Sequence, residues 1–393
     1  MIQLAQHNLC TGCGACSFIC PKECIKMVEN NIGVIYPVID PTDCIECKSC
    51  QKVCPVITPI KYNRPKKAFA AWSNDKEERR TSASGGIAAE LYKMALKDDY
   101  KIIGAVQQTD FSVKLEISDE VTSIEKFKNS KYVKSTCYDI YDKVRKELKT
   151  GNKVLCICLP CQVGALRSLF KDNENLILAD IVCHGGTPYK YLKQHISYIE
   201  KQIGLKCFKM SFRDPNFETY KYFFSLYEQN GECFYSKRTA DGDTYQFGFH
   251  RSVTYRENCF NCIFAKSERA SDITLLDFKG LNDMSQKNFN HINVSGVLAN
   301  TTKGLVAIES LKDNGVITII ERPVDEALQT DPRLREHSKD NADSILFRKL
   351  INETPEDFEG VMQKIIETNK KRNRFSILKR IYRRIKNVIL QKK

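Results

Sequence analysis

The chain has 393 residues, 42% of them apolar and 28% charged, which is ordinary for a globular protein and long enough for two or three domains. No apolar run reaches the roughly 18 residues of a membrane span, and the start MIQLAQHNL lacks the basic, apolar, small-residue order of a secretory signal. The expectation is a cytoplasmic protein. Lys and Arg number 61 against 48 Asp and Glu, a net charge of +13, but eleven of the basic residues lie in Asn369–Lys393 without one acid, so the body is nearly neutral.

Eighteen cysteines would mean disulfides in a short secreted chain, but here half of them fall within the first 54 residues at metal-ligand spacing. Two copies of C-x2-C-x2-C-x3-C-P stand there, CTGCGACSFICP from Cys10 and CIECKSCQKVCP from Cys44. This spacing lets three thiolates of one tight loop hold three irons of a cubane while the fourth cysteine reaches the other cluster. Cys10, Cys13, Cys16 and Cys54 are therefore expected to hold one [4Fe-4S] cluster, and Cys20, Cys44, Cys47 and Cys50 the second. Gly12 and Gly14 suit backbone that turns closely around a cluster. A pair of zinc knots is the alternative, and it calls for two separated C-x2-C hooks rather than this crowding. Residues 1–60 thus resemble bacterial dicluster ferredoxin domains, with an α+β ferredoxin-like fold. Cys24 has no slot in the scheme and is left out of the ligand set.

The polar, basic KYNRPKK (61–67) reads as a linker. Beyond it, apolar runs AFAAW, KIIGAV, KVLCICL and NLILADIV read as strands, alternating with the helical patterns IAAELYKMALKD and YKYLKQHISYIEKQI. Such alternation predicts an α/β domain over 68–320 with a mixed, partly parallel sheet. TSASGG (81–86) leads into the first of these helices, where unpaired amides suit a phosphate or simply make a flexible N-cap.

Cys161 follows the strand KVLCICL and Cys183 follows NLILADIV. Strand, helix, strand at this length is a βαβ crossover, which turns both cysteines toward one crevice beyond the carboxyl ends of parallel strands. Cys259 and Cys262 form a C-x2-C hook without a partner of its own, so two plus two would complete a third ligand set; the alternative leaves Cys161 and Cys183 as core thiols and gives the hook to zinc. Cys156 and Cys158 share one face of a strand and read as buried thiols, while Cys137, Cys207 and Cys233 lie in no ligand pattern.

In order along the chain, TSASGG (81–86), KYVKS (131–135), LPCQ (159–162), VCHGG (182–186), FRD (212–214), CFNC (259–262), RASDITLLDFKG (269–280) and SGVLANTTKG (295–304) resemble the family of coenzyme F420 hydrogenase/dehydrogenase beta subunits. That resemblance implies a flavoprotein with FAD and a nearby [4Fe-4S] cluster. It implies cluster ligands at Cys161, Cys183, Cys259 and Cys262, and flavin contacts at Ser84, Gly85, Gly86, Lys131 and Tyr132. Whether Asp272 and Asp277 touch cofactor or pair with Arg269 stays open. The implied activity is an oxidoreductase moving electrons between a ferredoxin-type donor and a small organic or deazaflavin acceptor, in either direction. Relatives of this longer architecture also point to surface polysaccharide biosynthesis. The alternative is an electron-transfer subunit without a substrate of its own, serving a partner enzyme.

A helical extension is expected over 321–368. In the basic segment 369–393, Leu378, Ile381, Tyr382, Ile385, Val388 and Ile389 recur at helical spacing. Such a helix can lie on an anionic membrane surface or dock on the body. No aromatic-rich basic groove elsewhere supports nucleic-acid binding.

Overall fold

The computed structural model describes residues 2–278 and 292–372. The basic amphipathic segment expected at the C-terminus lies almost wholly outside the described residues.

The N-terminal sixty residues build a hairpin of β1 (Ile25–Glu29) and β2 (Ile35–Ile39), antiparallel, between the two four-cysteine motifs. Each motif carries one short helix around its third cysteine, Ala15–Phe18 in the first and Ser49–Lys52 in the second. The expected linker is pinned rather than free, since Asn63 and Arg269 exchange backbone hydrogen bonds at 2.8 Å and Lys67 already opens β3.

Among the described residues, ten strands follow β3 (Lys67–Ser73). They are β4 (Tyr100–Gln107), β5 (Val113–Ser118), β6 (Lys153–Cys158), β7 (Leu176–Ile181), β8 (Lys209–Ser211), β9 (Phe224–Tyr227), β10 (Cys233–Lys237), β11 (Ile273–Asp277), β12 (Ser295–Ala299) and β13 (Ile317–Arg322). Eight strands form the main sheet in the order β13-β3-β12-β11-β7-β6-β4-β5. Its centre, β11-β7-β6-β4, is parallel, and both flanks are antiparallel. The expected mixed, partly parallel sheet is therefore present. Strands buried on both faces read as continuous apolar runs, which is why KVLCIC and LILADI are legible in the sequence.

Helices cover both faces. On one, Ile87–Lys97 and Thr302–Asp313 pack over Leu155 and Ile157; on the other, Ile140–Lys149 and Pro160–Phe170 pack over Val154, Cys156 and Cys158. Cys156 and Cys158 are buried on one face, as their spacing predicts. A second core joins the small sheet β10-β9-β8 to the helix Tyr189–Ile203 and the helical residues 358–372. Among the described residues no helix is long and apolar enough to cross a membrane.

Candidate functional site

The hairpin β1-β2 folds the second cysteine motif back onto the first, so each motif lends its fourth cysteine to the other. Cys10, Cys13, Cys16 and Cys54 line one cavity, and Cys20, Cys44, Cys47 and Cys50 line another. Gly12 (φ 62°) and Gly14 (φ 77°) hold the first loop in the left-handed region. A Cβ on Gly14 would come within 2.4 Å of the Tyr138 ring, so only glycine lets this loop seat on the body. Burial pushes the Cys16 thiol up to about 12. Such a group gives up its proton to a metal, and an all-sulfur donor set suits iron-sulfur chemistry. Cys24, set aside by spacing, lines the second cavity, with its Sγ 3.4 Å from Cys20 Sγ.

Of the two cavities the first is the inner one. The Cys13 carbonyl accepts hydrogen bonds from Tyr141 Oη (2.7 Å) and Cys137 Sγ (3.3 Å). The guanidinium of Arg256, itself 5% exposed, donates to the carbonyls of Thr11 (2.8 Å), Cys10 (3.4 Å) and Ile35 (3.4 Å). Cys47, in the second cavity, is exposed.

The third site lies beyond the carboxyl ends of β6 and β7, which pair in parallel with Cys158 opposite Asp180. Cys161 sits in the first turn of Pro160–Phe170, one residue inside the helix rather than before it. Gln162 fixes that turn: its Oε1 accepts from the Leu159 amide at 3.0 Å and its Nε2 donates to the Ser135 carbonyl at 3.1 Å. Cys183 stands two residues past β7, and Cys259 and Cys262 come from the turn Glu257–Asn261 and the residue after it. All four cysteines line one cavity, together with Lys134, Arg256, Arg269 and Arg333. Among the described residues, no Asp or Glu lines it. Lys134 Nζ lies 3.3 Å from Cys161 Sγ, and the Gly186 amide donates to Cys259 Sγ at 3.3 Å. Burial pushes Cys262 up to about 12. Four thiols facing these cations fit an anionic iron-sulfur cluster, because buried positive charge needs a counter-charge. Among the described residues, no three His, Cys, Asp or Glu side chains close on a single metal ion.

The residues expected around a flavin are engaged within the protein. Ser84 Oγ donates to the Val294 carbonyl (3.0 Å), and the Gly85 amide donates to Ser295 Oγ (2.8 Å). Gly86 (φ 85°) opens the helix Ile87–Lys97 without a side-chain cap. The Lys131 ammonium turns back to the carbonyls of Phe127, Lys128 and Asn129, and burial lowers it to about 7. Tyr132 stacks on Phe249 (centroids 4.4 Å apart) and meets His250 edge-on. Asp277 accepts from Arg213 (3.0 Å) and Tyr222 (3.3 Å), while Asp272 serves Arg167 and the Leu178 amide; Arg269 pairs instead with Asp180 at 2.7 Å. Asp272 is thereby a structural carboxylate. Spacing assigns no role to Arg213, Tyr222 or Cys137, and only their long-range contacts expose them.

Residues 9–57 match the 4Fe-4S dicluster domain family, and residues 151–324 match the family described as coenzyme F420 hydrogenase/dehydrogenase, C terminus of the beta subunit. The chain joins an F420 hydrogenase/dehydrogenase beta-subunit domain to a 4Fe-4S dicluster domain. It is 23% identical over 195 residues to the F subunit of F(420)H(2) dehydrogenase from Methanosarcina mazei, covering 45% of this chain and 53% of that protein. It is 29% identical over 217 residues to coenzyme F420-dependent sulfite reductase of Methanocaldococcus jannaschii, covering 52% of this chain and 31% of that one. The chain thus spans about half or less of these two curated relatives. A chain of the F420-reducing [NiFe] hydrogenase complex from Methanosarcina barkeri aligns with a TM-score of 0.44 at 19% identity, covering 80% of this chain and 94% of that one.

The beta-subunit domain contains all four cysteines of the third cavity. Ser84, Gly85, Gly86, Lys131, Tyr132 and Lys134 lie upstream of its matched span. The third site is therefore built from two parts of the chain, the cysteines from one and Lys134 from the other.

Proposed function

We propose that Cys161, Cys183, Cys259 and Cys262 hold a third [4Fe-4S] cluster, and that the chain is an iron-sulfur oxidoreductase of three clusters in series. The observation that carries this is the third cavity: four thiols from three loops, flanked by cations, without a carboxylate among its described lining residues. The route implied by residue placement starts on the side of exposed Cys47, reaches the cavity of Cys10, Cys13, Cys16 and Cys54, and continues past Arg256 to Cys161. Arg256 supports this route, because its side chain holds the first loop while its backbone amide donates to Gly186 (2.9 Å) beside the third site. A ferredoxin-type protein or an enzyme partner would exchange single electrons at the outer side.

The same reading gives the chain an FAD, whose phosphates suit the uncapped amides at the start of Ile87–Lys97; bound there, it would link single electrons to two-electron chemistry. F420 in the printed names of both curated relatives favours a deazaflavin-type acceptor. Surface polysaccharide synthesis has no counterpart among the site residues. A subunit without its own substrate is the second reading. It is favoured because Ser84, Gly85 and Lys131 already have protein partners for their polar groups, and because the first relative is named as a subunit.

Iron, sulfide and flavin content of anaerobically purified protein tests the proposal. The expected result is about twelve irons per chain, falling to about eight in Cys161→Ser. Eight irons in the wild type with no loss in the variant sinks the third cluster. Unaided reduction of a deazaflavin or other small acceptor by the purified chain would exclude the second reading.

A further inference from the structure

We infer that Lys134 raises the reduction potential of the third cluster by placing an uncompensated positive charge against the Cys161 sulfur. The inference rests on the third-cluster reading above and goes beyond it by naming the residue that tunes the site.

Three observations converge. The ammonium has a sulfur for its partner, at 3.3 Å, in a cavity whose described lining holds no carboxylate. Among the neighbouring cations, Arg269 is matched by Asp180, whereas Arg256 is held by carbonyl oxygens and keeps its charge. Finally, the lysine is locked in place from both sides. Its amide donates to the Thr187 carbonyl (2.9 Å), next to the loop that carries Cys183 and Gly186, and the following Ser135 is bonded to Gln162 in the Cys161 helix. Its stem runs over Gly186, where a Cβ would lie 3.3 Å from Lys134 Cδ and 3.4 Å from Cβ. A glycine there leaves the path to the sulfur open. Lys131, three residues earlier, has its ammonium turned to backbone carbonyls, so of the two lysines in KYVKS it is Lys134 that faces the sulfur.

A cluster with four thiolate ligands is negatively charged and gains one further negative charge on reduction. A fixed cation and hydrogen bond at a ligand sulfur therefore favour the reduced form. The electron balance is simple: a reduced cluster of the ferredoxin module loses one electron, the third cluster gains it, and no bond is made or broken. With Lys134 in place the transfer is favoured in the direction of the third cluster.

Redox titration followed by electron paramagnetic resonance, on anaerobic Lys134→Met, Lys134→Gln and Lys134→Arg proteins, tests the inference. The expected result is unchanged iron and sulfide in the two neutral variants, with one of three midpoint potentials lowered. At fixed ambient potential the reduced-to-oxidised ratio of that cluster should fall about tenfold, or 59 mV for one electron. Lys134→Arg should restore most of it. Three unmoved potentials at full iron content overturn the inference. So does loss of about four irons from both neutral variants, which would make the lysine a structural support. A wild type with only eight irons fails the third-cluster reading itself, and this inference with it.

Discussion

His195 carries the clearest pH-dependent charge outside the cysteine sites. Its Nε2 meets Asp243 Oδ2 at 3.0 Å, its Nδ1 meets Glu359, and Tyr235 also donates to Asp243. Burial alone would push the imidazole down, but the two carboxylates more than reverse this and raise it to about 9. Because the folded value lies above the unfolded value of about 6.5, the contribution is fully present below pH 6.5 and is lost as pH rises through 9. Thermal unfolding between pH 6 and 10 should show a loss on the order of 1–3 kcal/mol, centred on this window. His195→Gln should flatten the profile; an unchanged slope in that variant would mean that another group titrates.

At the scale of elements, Asp272 joins what β11 alone could not. Its carboxylate accepts from the Leu178 amide in β7 (2.9 Å), from Arg167 in the helix Pro160–Phe170 (3.1 Å) and from Thr301 ahead of the helix Thr302–Asp313 (2.8 Å). Arg167 and Asp272 are 5% and 2% exposed, so removing one leaves the other as an uncompensated buried charge. Asp272→Ala should cost about 3–5 kcal/mol in anaerobic denaturant unfolding. A loss below about 1 kcal/mol would show that the arginine finds another acceptor. The motif RASDITLLDF is legible as a unit, but its two aspartates are not separable by pattern. One is enclosed by three elements and the other sits at the end of β11 with Arg213 and Tyr222.

At the scale of the molecule, the dicluster module and the main sheet meet through polar contacts around Cys10–Gly14. Arg256 supplies three of the module's hydrogen bonds, and charged donors to carbonyls contribute about 1.5–3 kcal/mol each at most. Arg256→Met should speed amide hydrogen exchange in residues 10–16 while leaving β6 and β7 protected. Equal exchange in variant and wild type would assign the docking to Tyr138, Tyr141 and Cys137 instead.

Local spacing is enough for the two cysteine motifs, because their ligands sit on tight loops whose geometry depends on neighbours in sequence. The placement of Cys161 and Cys183 is legible for a related reason: a βαβ unit has one favoured hand, so its strand ends are predictable. The joining of Cys259 and Cys262 to that pair rests on a count of unpartnered cysteines, and the shared cavity needs the fold. The antiparallel flanks of the sheet, the contact of Arg256 with Thr11 and the choice of Lys134 over Lys131 as the sulfur-facing lysine have no signature in sequence. Each depends on residues brought together from distant parts of the chain, and side-chain direction at such a junction is decided by which carbonyls, sulfurs and charges the tertiary packing leaves within reach.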